Sequence, residues 1–137
     1  MTYVQDHTID SDFMSFERIA DGHIEVSYTS ALDMEPEQQR ALIDAIEREL
    51  SARRLTVLFR VGSISVPPSV PTFWLNVTKK HAPKLRAMAV VSDSVAVRAA
   101  ATSFGIANIL RGVSVAVRPF KNSEVEIARQ WCQSSNA

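Results

Sequence analysis

Two kinds of hydrophobic pattern alternate along the chain. Leu55 to Val61 (LTVLFRV) and Leu85 to Val91 (LRAMAVV) are nearly continuous apolar runs, the pattern of strands covered on both faces. Phe13 to Ile19 (FMSFERI) and His23 to Thr29 (HIEVSYT) are short runs of mixed alternation around Ala20-Asp21-Gly22. Asp-Gly supplies the positive φ angles of a tight turn, so this pair predicts an antiparallel hairpin. Val113 to Arg118 (VSVAVR) predicts the last strand.

Between these runs the apolar period changes to that of helices. Leu42, Ile43, Ile46 and Leu50 share one face of a helix expected over about Met34 to Ser51, capped by Asp33 and tolerating Pro36 in its first turn. Phe73, Trp74 and Val77 begin a second helix, which must stop near Ala82 because the residue before Pro83 is pushed out of the α region. Asp93 or Ser94 can cap a third, with Val97, Ala100, Ala101 and Phe104 on one face. The pattern lets that helix end at Gly105 or continue to about Leu110. Ser123 with Glu126 makes a capping box for a fourth, carrying Val125, Ala128 and Trp131. The order ββαβαβαβα predicts an α/β fold. Its sheet is expected to be mixed and mostly parallel, with right-handed crossovers, the antiparallel hairpin at the N-terminal edge and helices packed on the sheet.

Composition narrows the class. A chain of 137 residues, 46% hydrophobic, suits one domain, expected over residues 13–133 with polar tails at 1–12 and 134–137. No apolar run reaches membrane-spanning length, and the opening MTYVQDHTIDSD is acidic and polar, which predicts a soluble protein without a signal peptide. The single cysteine, Cys132, excludes an internal disulfide and a metal site of several thiolates, and it fits a cytoplasmic location. Net charge is zero but unevenly spread: twelve acids against three arginines leave residues 1–50 at −9, and the other 87 carry +9. Interleaved in one fold, the halves neutralise each other; on separate surfaces they would favour an anionic partner or a homodimer.

A search for catalytic chemistry returns nothing. His7, His23 and His81 are far apart and lack metal-binding spacing, so no metal is expected. The four glycines form neither GxGxxG nor GxxxxGK[ST], and there is no GxSxG elbow. Neither an enzyme nor a cofactor is predicted.

The hairpin, the helix EPEQQRALIDAIEREL, the strand LTVLFRV followed by Gly62, and the stretch APKLRAMAVVSDSVAVRAAA resemble the anti-sigma-factor-antagonist (STAS, SpoIIAA-like) family. In particular these stretches resemble small bacterial STAS-like proteins, some grouped with lipid-binding CRAL-TRIO-like domains. The resemblance spans about residues 13–133 and implies a non-enzymatic interaction or regulatory module, with a lipid- or small-ligand-binding domain as the alternative. In phosphorylated STAS proteins a glycine turn after the central strand leads to an Asp-Ser-Ser-Gly type stretch whose serine a kinase modifies. Setting Gly62 on that glycine puts Pro67-Pro68-Ser69-Val70 in its place, so the acid, the first serine and the glycine are missing. Gly62, Ser63, Ser65 and Ser69 are therefore the candidate interaction or regulatory loop, with capping of the next helix as the simpler role of Ser69.

One further segment stands out. Lys79, Lys80, His81, Lys84 and Arg86 lie within eight residues, and from Ser51 to Lys121 eleven basic residues face only Asp93. Such a cluster is either a solvated helix end, favoured by the dipole, or an anion contact made by Lys79, Lys80, Lys84 and Arg86. The partners expected are a second copy, a regulatory protein, or an anionic lipid or small ligand. Nucleic acid is not expected, because the basic residues form no stripe interleaved with aromatics and the sequence pI is about 6.8.

Overall fold

In the computed structural model the described residues are 9–10, 14–20, 22–28, 44–50, 53–62, 69–82 and 84–135. The strands are β1 (Ile9–Asp10), β2 (Met14–Ala20), β3 (His23–Tyr28), β4 (Leu55–Val61), β5 (Leu85–Val91) and β6 (Ala116–Phe120). Helix α1 includes residues 44–50. The others are α2 (Ser69–His81), α3 (Val95–Leu110) and α4 (Val125–Ser135), the last preceded by a 3₁₀ turn at Asn122–Glu124.

All six strands form one sheet in chain order, β1 to β6. The four from β3 to β6 are parallel. On the far side of β3, β2 runs antiparallel to it, with Phe16 opposite Val26 and an irregularity between Arg18 and Ala20; Gly22 turns between them at φ 81°. The two-residue strand β1 then pairs with β2, in the stretch expected to be a polar tail.

Parallel strands laid down in chain order by crossovers of one hand put the connecting helices on the same face. That face holds the larger core, where Ala45, Ile46 and Leu50 of α1, Val77 of α2, and Val97 and Phe104 of α3 meet Ile24, Val26, Val57, Phe59, Val61 and Met88 of the sheet. Helix α4 follows the last strand and covers the opposite face, where Ala128 and Cys132 pack on Leu58, Ala89, Val91 and Phe120. Covered on both sides, β4 and β5 carry the continuous apolar runs that predicted them.

Three boundaries differ from expectation for identifiable reasons. Strand β6 begins at Ala116 rather than Val113, because Gly112 turns at φ 70° and the side chain of the wholly buried Asn108 donates to the Val115 carbonyl. It also runs through Pro119, which a strand at the sheet edge tolerates because one row of its hydrogen bonds is unused. Helix α2 starts at Ser69, earlier than Phe73, which makes Ser69 its first residue rather than the cap before it. Before α4 it is the Glu124 carboxylate that accepts from the Lys121 N–H, at 2.8 Å, while Glu126 bonds Arg129 instead of closing a box on Ser123. Helix α3 passes through Gly105 to Leu110.

Candidate interaction site

The carboxyl ends of parallel strands lie along one edge of a sheet, where open α/β folds gather their binding loops. Here that edge receives the connection after β4, beginning at the half-buried Gly62, the Ser92–Ser94 turn after β5, and Lys121–Glu124 after β6. Ser92 is wholly buried: its N–H donates to the Phe120 carbonyl at 2.9 Å, its hydroxyl accepts from the Ser94 N–H, and its carbonyl accepts from the Arg98 guanidinium. Ser94 caps α3 by accepting from the Val97 N–H at 3.3 Å, which settles the choice between Asp93 and Ser94. Asp93 is left exposed and bridges the two turns, its carboxylate oxygens accepting from the backbone N–H and side-chain amide of Asn122, both at 3.1 Å. The result is a polar rim fixed by its own hydrogen bonds.

Of the predicted loop, Gly62 and Ser69 stand at the ends of β4 and α2, and Ser63 and Ser65 lie outside the described residues. Pro71 falls in the first turn of α2, where its missing N–H costs nothing. The basic residues part company. Lys80 pairs with Glu47 of α1 at 3.2 Å, and His81 approaches the same carboxylate at 3.0 Å. Lys84 donates to the Leu50 carbonyl of α1 at 3.1 Å, while Lys79 is exposed and Arg86 half-buried.

A second polar cluster lies under α4. Glu25 of β3 is 7% exposed and takes a bidentate fork from Arg129 of α4, Nε to Oε2 at 2.6 Å and Nη2 to Oε1 at 3.0 Å. His23 Nε2 is 3.4 Å from the same carboxylate, and its Nδ1 is 2.9 Å from the Thr56 hydroxyl, which donates to the Gly22 carbonyl at 3.2 Å. Burial alone would raise the Glu25 pKa, but hydrogen bonds from His23 and Arg129 together with the Arg129 charge outweigh it and hold the carboxyl at about 2. Sequence reading passed over this cluster. Its only signal is the polar alternation of His23, Glu25 and Ser27, which looks the same on a solvated strand. Among the described residues no three His, Cys, Asp or Glu side chains could hold a metal ion, and no helix is long and apolar enough to cross a membrane.

A family model described as SpoIIAA-like matches residues 23–133. The chain belongs to that family. The match begins at His23 and ends at Gln133, so the four parallel strands, α2 and α3 and all but the last two residues of α4 in this SpoIIAA-like domain lie inside it, together with the described part of α1, whereas β1 and β2 lie outside. Neither the curated proteins nor the solved structures gave a match. Membership points to a regulatory or interaction module.

Proposed function

We propose that this SpoIIAA-like domain is a non-enzymatic regulatory module that binds a protein partner at the carboxyl ends of its parallel strands, and that it also self-associates as a homodimer. The binding surface comprises Gly62 at the end of β4 with the rim of Asp93, Ser94 and Asn122. The observation that carries the reading is the Asp93–Asn122 tie, which joins two turns into a preorganised polar rim and so lowers the ordering cost of docking. Phosphate on Ser63, Ser65 or Ser69 would add about two negative charges and weaken any acidic or apolar contact it meets.

The test is to identify the protein that co-purifies with the tagged chain, purify it, and titrate it against wild type, Asp93→Ala and Ser69→Asp, with melting temperatures in parallel. Asp93→Ala should weaken binding about tenfold while remaining folded. If a serine is the switch, Ser69→Asp loses the partner at an unchanged melting temperature. If Ser69 is no switch, Ser69→Asp binds as wild type. Equal affinity of Asp93→Ala and wild type removes the rim, and lipid retained in a native mass spectrum without a protein partner favours the ligand-binding alternative.

A further inference from the structure

The amino ends of the parallel strands lie opposite the rim, and α1, α2 and α3 finish there as the chain returns to each next strand. Particular contacts fix the neighbours at this end. The Thr78 hydroxyl of α2 donates to Asn108 Oδ1 of α3 at 3.2 Å, so the two helices end side by side. The Leu55 N–H donates to the Lys84 carbonyl at 2.9 Å, which sets Arg54 next to Lys84. Arg54, Lys79, Lys80, Lys84 and Arg111 are exposed here, and Arg86 is half-buried. Of the acids described at this end, Glu49 is 3% exposed and Glu47 already holds Lys80 and His81. The side chains of Lys79 and Arg111 have no acidic partner among the described residues.

Helix α3 ends among these cations in a bare apolar tip. Ile109 is 76% and Leu110 80% exposed, Arg111 follows, and Gly112 turns the chain back at φ 70°. A Cβ added at Gly112 would meet open space, so the tip projects from the fold. Cations at helix ends are favoured by the dipole and need no ligand. Two adjacent aliphatic side chains at such exposure have no part in that account.

We propose that the amino end of the sheet is a peripheral membrane-docking surface, where Ile109 and Leu110 enter the acyl boundary of an anionic bilayer while Lys79, Lys84, Arg86 and Arg111 meet its headgroups. It is independent of the rim, which lies at the other end of the strands. The joint chemistry selects the occupant. A bilayer interface offers negative charge and hydrocarbon a few ångströms apart in depth. Nucleic acid offers phosphates but no hydrocarbon layer for an aliphatic pair. A second copy meeting this end by two-fold symmetry would set cations against cations. Attachment is reversible: each cation near an anionic surface is worth about fivefold in partitioning, and two aliphatic side chains add less than a myristoyl chain, which alone gives roughly 10⁴ M⁻¹.

The experiment is co-sedimentation of the full chain with vesicles of phosphatidylcholine alone and of phosphatidylcholine mixed with phosphatidylserine. Wild type should bind the mixed vesicles and not the neutral ones. Lys79→Glu/Arg111→Glu should lower partitioning at least tenfold and Ile109→Ser/Leu110→Ser several-fold. Melting temperatures should not change, because all four side chains are exposed. A polarity-sensitive dye on Leu110→Cys should shift to the blue on mixed vesicles, and the same dye on Ile127→Cys of α4 should not; the native Cys132 is wholly buried and stays unlabelled. Absence of binding to mixed vesicles, equal binding by the charge-reversed chain, or a dye at Leu110 that does not shift overturns the proposal. Binding to soluble polyglutamate without binding to vesicles also overturns it, and assigns the cations to an acidic protein instead.

Discussion

Glu25 shows how one residue couples the two ends of the chain. It lies opposite Glu17 in the β2–β3 ladder, a like-charge pair that disfavours the register, and Arg129 from the final helix compensates. Because the folded pKa, about 2, is below the ordinary 4.5, ionised Glu25 contributes stability that is fully present above pH 4.5 and lost as the pH falls toward 2. The contribution is about 3 kcal/mol at neutral pH. Urea denaturation between pH 6 and 2 should show wild type losing more stability on acidification than Glu25→Gln, and parallel curves would remove the linkage. Arg129→Ala should destabilise by about 3 kcal/mol at pH 7, since it leaves a buried carboxylate without its main partner. Cys132 is the other residue set by this face. Burial pushes its thiol up to about 12, with Glu25 adding in the same direction, so a thiol reagent at pH 8 should label it only at the rate of unfolding.

At the scale of elements, the contact of α3 with β6 depends on Gly105. A Cβ there would lie 2.9 Å from the Val117 carbonyl oxygen, and backbone cannot yield as a flexible side chain does. Alanine normally gains about 1 kcal/mol over glycine inside a helix. Here the clash should reverse the sign, and Gly105→Ala should lower stability by about 1–2 kcal/mol, read from a denaturation midpoint. This explains why a residue that could have ended α3 is carried within it: the close approach of helix to strand requires the missing side chain, and sequence cannot reveal an approach between segments. The end of α2 was legible, because Pro83 acts on its own neighbour. The start of β6 was not, because Asn108 holds Val115 out of the ladder from another element.

For the whole molecule, the opposed charges of the two halves of the sequence meet inside one fold. Glu47 pairs with Lys80 and His81, and Glu25 with Arg129, each link crossing the midpoint of the charge division. Charge therefore serves to join the first 50 residues to the rest. Strand β3 and helix α1 belong to the first half, yet complete the core of the second. Residues 51–137 expressed alone should show no cooperative thermal transition by circular dichroism, and adding residues 1–50 should restore one.

Local sequence determined the strands β4 and β5 and the stop before Pro83, because each depends on residues a few positions apart whose preferences agree. It also determined the class, since strands separated by helices admit few arrangements. Tertiary structure decided the rest. Only the placement of α4 on the second face turned Glu25 from a strand carboxylate of unknown exposure into the buried partner of Arg129. Only the junction of two turns made Asp93 a tie to Asn122, and only the packing of Val97 and Phe104 left the Ile106 and Ile109 face of α3 uncovered. Each of these depends on segments that meet across the sheet, and a one-dimensional pattern carries periodicity but not which faces meet.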